Sequence, residues 1–366
     1  MRADIFCRVV DNYGDIGVTW RLSRQLQREF GWSIRLWVDA LDSFKKLDPR
    51  VDLTCSSQII DSIEVVHWSN PAADLIPHPV VIASFSCDLP PKFQARMTPG
   101  KTLWINLEYL SAEGWVESCH ALPSLRSDGL HANFFFPGFT AQTGGLIKES
   151  GLLAARDAWQ SDRARQVQWV KSLGVPTEGL QAWLSGRLIS AFCYPQAPLQ
   201  ALVAQLTSDP TPTLLLLPQG IGIDIPEGRH GNLQVKRIPF TSQSEYDQTL
   251  WTADFNIVRG EDSFVRALWA ARPCIWHIYP QTEDTHLIKL DAWLARTALP
   301  ESAKSCIRDW NQVDPRRSDA SPFVPLLNPA DLQAWALEAK QIAANLDKIH
   351  DLASSLDLFC RAKSGH

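Results

Sequence analysis

Residues 254–264 (Asp-Phe-Asn-Ile-Val-Arg-Gly-Glu-Asp-Ser-Phe) constrain the fold of this chain more than any other stretch. The apolar run at 255–258 includes β-branched residues and predicts a buried strand of a parallel sheet. From Phe264 onward, apolar residues recur at the spacing of one helix face. Only residues 259–263 separate the two patterns. They therefore form a strand-to-helix turn at the mouth of an α/β sheet, where ligands gather.

The turn at 259–263 carries an arginine, two carboxylates and a hydroxyl beside the unbonded N–H groups of a helix start. Two interpretations fit this stretch when it is taken alone. In one, the turn is structural, with Asp262 or Ser263 as the helix cap and Arg259 paired with Glu261. In the other, the same groups bind an anionic ligand. A second carboxylate turn near the start of the chain favours a ligand.

Length and charge limit the classes of function. The 366 residues exceed one ordinary core, so two domains are expected. The formal charge of −5 argues against binding to nucleic acid or to a membrane surface, but it leaves room for a basic protein partner. The eight cysteines are scattered without a Cys-x-x-Cys pair. Charged residues interrupt the first apolar run, which is therefore unlike a signal peptide. These features predict a cytoplasmic protein.

Strand and helix patterns alternate along the chain, as in parallel sheets covered by helices on both faces. The predicted fold class is α/β, with two Rossmann-like, doubly wound domains that face each other across a cleft, and with C-terminal helices. Residues 1–153 are assigned to the first domain, and residues 347–366 are expected to pack back on it. Residues 154–183 are predicted to form a linker helix, and residues 184–346 the second domain. Residues 107–145 are predicted to be a long irregular loop.

Residues 11–17 read Asp-Asn-Tyr-Gly-Asp-Ile-Gly and lie between the first predicted strand and the first predicted helix. Such a turn, with an acid (Asp39) after the second strand, is similar to a dinucleotide-binding turn. However, Asn12 occupies the place of the first glycine, and Asp11 and Asp15 would repel a pyrophosphate. The sequence therefore argues against NAD binding.

The carboxylates of Asp11 and Asp15, four residues apart, could bind a cation or accept a proton. A structural alternative is an Asx-turn at Asp11 and a helix cap at Asp15. A Mg²⁺ site is a third possibility, although the sequence lacks the Asp-x-Asp pattern with which a metal would carry a nucleotide diphosphate. Glu261 and Asp262 lie at the equivalent edge of the second domain. This pairing of acidic turns predicts a group-transfer enzyme.

Blocks from the first strand to well into the second domain carry a family resemblance. They are residues 11–17 with Trp20, Arg21 and Leu22, residues 104–111 (Trp-Ile-Asn-Leu-Glu-Tyr-Leu-Ser), Phe192, Cys193 and Tyr194, residues 238–240 with Gln243, Tyr246 and Asp247, and residues 258–266. In these blocks the chain resembles the elongation factor P arginine rhamnosyltransferase family. Members of this family are bacterial glycosyltransferases with the GT-B architecture of two Rossmann-like domains. The resemblance covers nearly the whole chain.

The resemblance implies transfer of L-rhamnose from dTDP-β-L-rhamnose to an arginine side chain of elongation factor P, with inversion and without metal or other cofactor. It implies that Asp15 is the general base with Asp11 beside it, and that Glu261 is needed for activity. The implied donor-binding residues are Gly14, Gly17, Phe192, Tyr194, Gln219, Phe240, Gln243, Tyr246, Arg259, Glu261, Asp262 and Ser263. The implied acceptor-binding residues are Asp11, Asp15, Glu108 and Tyr109.

Alternatives remain for single residues and for the whole chain. Phe192 and Phe240 are expected to sandwich thymine, with core packing as the alternative. Glu108 and Tyr109 suit a basic partner loop, with an ordinary solvated loop as the alternative. His286 is expected to be structural. At the level of the chain, the alternatives are a transferase with another nucleotide sugar or acceptor, and a non-catalytic protein that binds an arginine-bearing loop.

Overall fold

The protein is described by a computed structural model that covers residues 1–11, 13–68, 74–126, 128–312 and 328–364. By its internal contacts the chain divides into two units, Met1–Ser150 with Leu346–His366 and Gly151–Asn345. Asn12 and part of the predicted C-terminal helical region lie outside the described residues. Within the described ranges, no helix combines the length and the apolar character that crossing a bilayer requires.

The first unit is built on a mixed sheet whose described strands follow the order β3-β4-β2-β1-β5-β6-β8-β7. The inner strands are parallel, and β3 and β7 are antiparallel edges. Because β1 and β5 lie at the centre of the sheet, all their residues except Arg2 are buried, and most of them are apolar. The strands are β1 Arg2–Cys7, β2 Ser33–Val38, β3 Ser57–Ile60, β4 Ile63–His67, β5 Val80–Ser84, β6 Leu103–Leu107, β7 Pro123–Leu125 and β8 His131–Phe135.

The helices of the first unit are α1 Gly14–Phe30, α2 Leu41–Leu47, α3 Pro91–Gln94, α4 Trp115–Cys119 and, from the C-terminal end, α14 Leu352–Ser364. The last of these belongs to the core of the first unit, where Leu352, Leu356 and Cys360 pack with strand residues. Its Asp357 accepts a hydrogen bond from the Trp32 indole at 2.8 Å. The C-terminal segment thus completes the first unit rather than extending the second.

The second unit contains a sheet with the strand order β11-β12-β10-β9-β13-β14. All its described neighbours are parallel except the short edge strand β11. The strands are β9 Arg187–Ala191, β10 Thr213–Pro218, β11 Gly228–His230, β12 Leu233–Ile238, β13 Phe255–Arg259 and β14 Cys274–His277. The helices are α5 Leu152–Ser161, α6 Arg163–Ser172, α7 Thr177–Ser185, α8 Leu199–Ser208, α9 Gln243–Thr252, α10 Asp262–Ala270, α11 Thr285–Ala295, α12 Glu301–Gln312 and α13 Pro329–Leu346.

The prediction of one linker helix at 154–183 is wrong, because three helices (α5, α6 and α7) occupy this region. Asp162 leaves the helical conformation and its side chain caps α6 by accepting from the Arg165 N–H at 2.9 Å. Gly174, with a φ of 76°, then ends the second helical segment. The apolar spacing continues across these breaks, which is why the sequence pattern reads as one helix.

The predicted irregular loop at 107–145 is also partly wrong, because it contains α4, β7 and β8. Strand β8 joins the sheet beside β6, with Leu107 opposite Phe135. The flanking glycines and prolines hide this short strand in the sequence. The prediction of an α/β fold with two doubly wound halves is confirmed.

Candidate active site

The turn between β1 and α1 is organised around the carboxylate of Asp15. Oδ2 of Asp15 accepts hydrogen bonds from the N–H groups of Val10 at 2.7 Å and of Asp11 at 2.9 Å. The side chain therefore points back to the loop that precedes its helix, and the structural alternative of a helix cap at Asp15 is wrong, because Tyr13 occupies the cap position. Among the residues that the structure describes, Oδ1 of Asp15 accepts no hydrogen bond. One oxygen fixes the turn, and the other oxygen of the same carboxylate can serve chemistry.

The electrostatic environment makes Asp15 more basic than an ordinary aspartate. Only 3% of the residue is exposed, and this burial raises the pKa of its carboxyl group. The two backbone hydrogen bonds lower that pKa, and the negative charges of Asp11 and Asp39 raise it again, so that the net shift is upward. A carboxylate with a raised pKa is a better proton acceptor, which suits a general base.

The glycines of this turn and Asp39 support its geometry. The Gly14 N–H donates to the Asp11 carbonyl at 2.6 Å, and a Cβ at Gly14 would lie 2.8 Å from Oδ2 of Asp11. Gly17 lies in the first turns of α1 and is buried. Asp39, at the end of β2, accepts from the Val9 N–H at 2.9 Å and so fastens the same loop. Asp39, which would bind ribose in a dinucleotide site, therefore has a structural role here.

The predicted acceptor residues Glu108 and Tyr109 directly follow β6 and are half-buried. Oε1 of Glu108 accepts a hydrogen bond from Oγ of Ser86 at 2.8 Å. The Tyr109 ring stacks on the Phe85 ring with centroids 4.6 Å apart. These residues lie at the carboxyl edge of the same sheet as the Asp15 turn, because β1, β5 and β6 are parallel.

In the second unit, the predicted strand, turn and helix at 254–264 are confirmed as β13, a turn at Gly260 with a φ of 64°, and α10. Asp262 and Ser263 lie inside the first turn of α10, so neither is the helix cap. Glu261 occupies the cap position, and its side chain makes no capping hydrogen bond among the described residues. The first turn of a helix is a place where backbone N–H groups can bind an anion.

The Arg259 guanidinium is held by two aromatic rings. Its central carbon lies 4.4 Å from the Phe192 centroid and 4.9 Å from the Tyr194 centroid. Both rings are more than nine-tenths buried. These cation–π contacts fix the position of the arginine. Arg259 can therefore act as a fixed positive group beside the start of α10.

Of the other predicted donor residues, Gln243 and Tyr246 contact residues next to this arginine, whereas β9 and β10 lie between the strand of Phe240 and β13. The Gln243 side chain donates to Asp262 at 3.5 Å. The Tyr246 ring meets the Phe192 ring edge-on at 6.0 Å, and burial raises the pKa of Tyr246, so the phenol remains protonated. The side chains of Phe240, which follows β12, and Gln219, which follows β10, are exposed at the carboxyl ends of their strands. The two phenylalanines thus differ in exposure, because Phe192 is 9% exposed beneath Arg259 and Phe240 is 39% exposed.

His277 was missed by the sequence reading. It ends β14, directly opposite Arg259 in the strand register. Its Nδ1 accepts from the Tyr194 N–H at 3.2 Å, and burial with the nearby Arg259 charge lowers the pKa of His277 to about 3. It is thus a neutral histidine that supports the aromatic cradle of the arginine. Its position at the carboxyl end of a buried apolar strand was the available signal.

His286, expected to be structural, accepts from the Gln281 N–H at 3.2 Å through Nδ1 and is buried. Across the described ranges, no group of three or more His, Cys, Asp or Glu side chains is arranged to hold a metal ion.

Comparison with known proteins places this geometry in a family. Residues 3–361 match the model of the family described as elongation-factor P (EF-P) rhamnosyltransferase EarP. A protein-arginine rhamnosyltransferase of Pseudomonas aeruginosa is 47% identical to this chain, and the match covers 97% of this chain and 98% of the relative. A protein-arginine rhamnosyltransferase of Shewanella oneidensis is 45% identical, with 98% and 97% covered.

A solved structure described as the structural basis for EarP-mediated arginine glycosylation of translation elongation factor EF-P is 30% identical. It matches with a TM-score of 0.66 over 99% of both chains. The predicted GT-B architecture, the predicted family and the prediction of a glycosyltransferase are thereby confirmed. This chain belongs to the EarP family of EF-P rhamnosyltransferases.

Proposed function

We propose that this chain transfers L-rhamnose from dTDP-β-L-rhamnose to one arginine side chain of elongation factor P, with inversion at the anomeric carbon and without a metal ion. The single observation that carries the proposal is the β1–α1 turn, in which a buried Asp15 of raised pKa is hydrogen-bonded to Asp11. The names of the relatives supply the sugar and the class of acceptor. Because the acceptor is a translation factor, the proposal includes a cytoplasmic location.

The acceptor side of the reaction calls for carboxylates. A guanidinium is cationic, its lone pairs are delocalised, and its pKa is above about 12, so it is a poor nucleophile. Asp11 and Asp15 can hold it by paired charge-assisted hydrogen bonds and localise its electrons on one nitrogen. A histidine would instead repel the acceptor whenever it was protonated. The acidic turn therefore suits an arginine acceptor.

The bond changes follow directly from these roles. One guanidino nitrogen forms a bond to the anomeric carbon while the bond from that carbon to the diphosphate oxygen breaks with its electron pair. Asp15 accepts the proton that the nitrogen loses. Attack on the face opposite the leaving group inverts the anomeric configuration. The products are the N-rhamnosylated arginine and dTDP, and no oxidant or reductant takes part.

The second unit supplies the charge complement for the leaving group. Growing negative charge on dTDP would meet the N–H groups at the start of α10, the Ser263 hydroxyl and the Arg259 guanidinium. Glu261 would be repelled by phosphate, so its proposed partners are hydroxyl groups of the sugar or the ribose. Phe240 offers the more accessible aromatic face for thymine, since Arg259 covers Phe192.

The proposed acceptor contacts beyond the catalytic turn are Glu108 and Tyr109. An acidic and an aromatic side chain at the edge of the sheet suit a basic loop of a folded partner. They lie on the same sheet edge as Asp15. Recognition of the partner protein and binding of its arginine would therefore both take place in the first unit.

Product analysis tests the function. Purified protein is incubated with elongation factor P and either dTDP-rhamnose, dTDP-glucose or UDP-glucose, and the modified peptide is isolated. The proposal expects modification of one arginine with dTDP-rhamnose only, and NMR of the glycopeptide should show the α-anomer from the β-linked donor. A β-linked product would refute inversion, and a different preferred donor would support the alternative nucleotide-sugar transferase.

A further inference from the structure

Two consecutive residues after β5, Phe85 and Ser86, have left-handed backbone conformations with φ angles of 58° and 53°. Residues other than glycine and asparagine adopt this region seldom, and for a bulky aromatic residue it is unfavourable. A similar pair, Asp61 and Ser62, forms the two-residue turn of the β3–β4 hairpin, where tight turns require positive φ at both positions. Phe85 and Ser86 do not form a hairpin turn, because β5 is followed by the parallel strand β6. Hairpin geometry therefore does not require a positive φ at either residue.

Hydrogen bonds fasten this left-handed turn to the neighbouring strand. Ser84, the last residue of β5, is paired with Leu107, the last residue of β6. The Phe85 N–H donates to the Leu107 carbonyl at 2.5 Å, and the Cys87 N–H closes the turn on the Ser84 carbonyl at 3.2 Å. The turn is thereby fixed beside the first residues that follow β6.

The side chains of the turn hold those residues. The Phe85 ring lies 4.6 Å from the Tyr109 ring, with 24° between their planes, and it also packs on the apolar core of the unit. Oγ of Ser86 donates to Oε1 of Glu108 at 2.8 Å. Each residue in the unfavourable conformation thus contacts one residue of the proposed acceptor surface. Unfavourable backbone geometry that persists beside a functional surface is a sign of a positioning role.

We propose that Phe85 and Ser86 are positioning residues for the protein acceptor. The left-handed turn sets the orientation of the Glu108 carboxylate and the Tyr109 ring before the acceptor binds, so that less side-chain freedom is lost on binding. This inference rests on the proposed function, and specifically on Glu108 and Tyr109 as acceptor contacts. It assigns no contact with the nucleotide sugar to either positioning residue.

The variant Ser86→Gly separates positioning from folding. Glycine removes the hydroxyl group but adopts positive φ without strain, so the protein should fold at least as stably. We expect kcat/KM for elongation factor P to fall by roughly tenfold, the effect of losing one hydrogen bond to a charged group. The KM for dTDP-rhamnose should not change. Ser86→Asn, which keeps a donor and tolerates the left-handed region, should restore at least part of the loss.

Ser62→Gly is the matched control. It makes the same change in the same unit at a φ of 63°. Ser62 precedes β4, whereas Ser86 follows β5, so the two residues lie at opposite edges of the sheet. We expect acceptor kinetics equal to those of the wild type. An equal loss in Ser62→Gly and Ser86→Gly, or no loss in Ser86→Gly, would overturn the proposal.

A double-mutant cycle asks whether Ser86 acts through Glu108. In the Glu108→Ala background, Ser86→Gly should have no further effect on kcat/KM for the acceptor, because the hydrogen bond is already absent. Additive effects would contradict positioning. Phe85→Leu in the Tyr109→Ala background provides the same test for the stacked rings. If the wild-type protein modifies no arginine, the proposed function itself is refuted. The wild-type protein is therefore assayed before any variant.

Discussion

The Asp11 main-chain N–H donates to the Asp15 carboxylate at 2.9 Å, so the two aspartates of the first turn form one hydrogen-bonded unit. The Asp15 side chain fixes the backbone from which the Asp11 side chain projects. Because Asp15 is buried and lies near two other carboxylates, this arrangement costs stability when the group is ionised. The same cost makes it a stronger base.

The raised pKa gives a prediction about stability and pH. A raised folded-state pKa means that the folded protein binds the Asp15 proton more tightly than the unfolded chain does. The stabilising contribution of this group is therefore complete below the unfolded pKa and is lost as the pH rises through the folded pKa. Asp15→Asn, whose amide oxygen can accept the same two N–H groups, should be at least as stable as the wild type near about pH 7.5, with a smaller advantage near about pH 4.

Urea unfolding at the two pH values measures this difference. Asp15→Leu is the comparison variant, because it leaves the N–H groups of Val10 and Asp11 without their acceptor and should lose about 1–3 kcal/mol. If Asp15→Asn is destabilised as much as Asp15→Leu at neutral pH, Asp15 is not a buried carboxyl group with a raised pKa.

Arg259 and Phe240 give a prediction about the donor. Arg259→Ala and Phe240→Ala should each raise the KM and Kd for the nucleotide sugar by about tenfold or more, through the loss of the positive charge and of the proposed contact with thymine. Arg259→Lys should restore little, since an ammonium group does not reproduce a planar guanidinium in contact with two rings. Isothermal titration with dTDP measures the binding. The exposed Ile288→Ala on α11 is the control for Phe240→Ala, and unchanged affinity in both donor variants would show that the donor site is misplaced.

His277 gives a prediction about acid stability. The folded protein holds the pKa of His277 at about 3, whereas the unfolded chain takes up this proton near the ordinary value for histidine. Stability should therefore fall as the pH is lowered through about 6.5, by up to about 1.4 kcal/mol per pH unit from this group alone. His277→Gln, which does not titrate, should show a shallower decline in thermal scans between about pH 7 and pH 5. Parallel declines in the two proteins would contradict a buried neutral histidine.

The C-terminal helix α14 offers a test of the division into units. Leu356 is fully buried in the core of the first unit, and Leu358 on the same helix is 55% exposed. Leu356→Ala should cost about 2–5 kcal/mol, and Leu358→Ala should change stability by less than about 0.5 kcal/mol. Chemical unfolding of both variants measures this. Equal small effects would mean that the helix does not belong to that core.

The sequence predicted the elements with strong patterns. The β1–α1 and β13–α10 turns could be located because a buried strand of apolar residues passes within a few residues into a helix of amphipathic spacing. Short edge strands such as β3, β7 and β11 could not, since three or four residues give too little periodicity. The break at Asp162 was missed because a capping aspartate inside an apolar pattern resembles a surface residue of one continuous helix.

The candidate site was predictable only where chemistry and position coincide. The carboxylates of Asp11 and Asp15 follow directly from the turn sequence, whereas the bond from Oδ2 of Asp15 back to the loop depends on the folded backbone. The His277 contact with Tyr194 joins residues that are far apart in the chain. Likewise, no local pattern shows that a phenylalanine and a serine after β5 adopt left-handed conformations.

Intact-mass spectrometry of elongation factor P, followed by peptide mapping, tests the central claim most directly. Incubation with dTDP-rhamnose and the wild-type protein should add one deoxyhexosyl group to a single arginine. Asp15→Asn should lower the rate by about 10²–10⁴-fold while dTDP-rhamnose still binds, and the exposed Asp42→Asn should react like the wild type. No addition by the wild type, an addition of another mass, or full activity in Asp15→Asn would contradict this account.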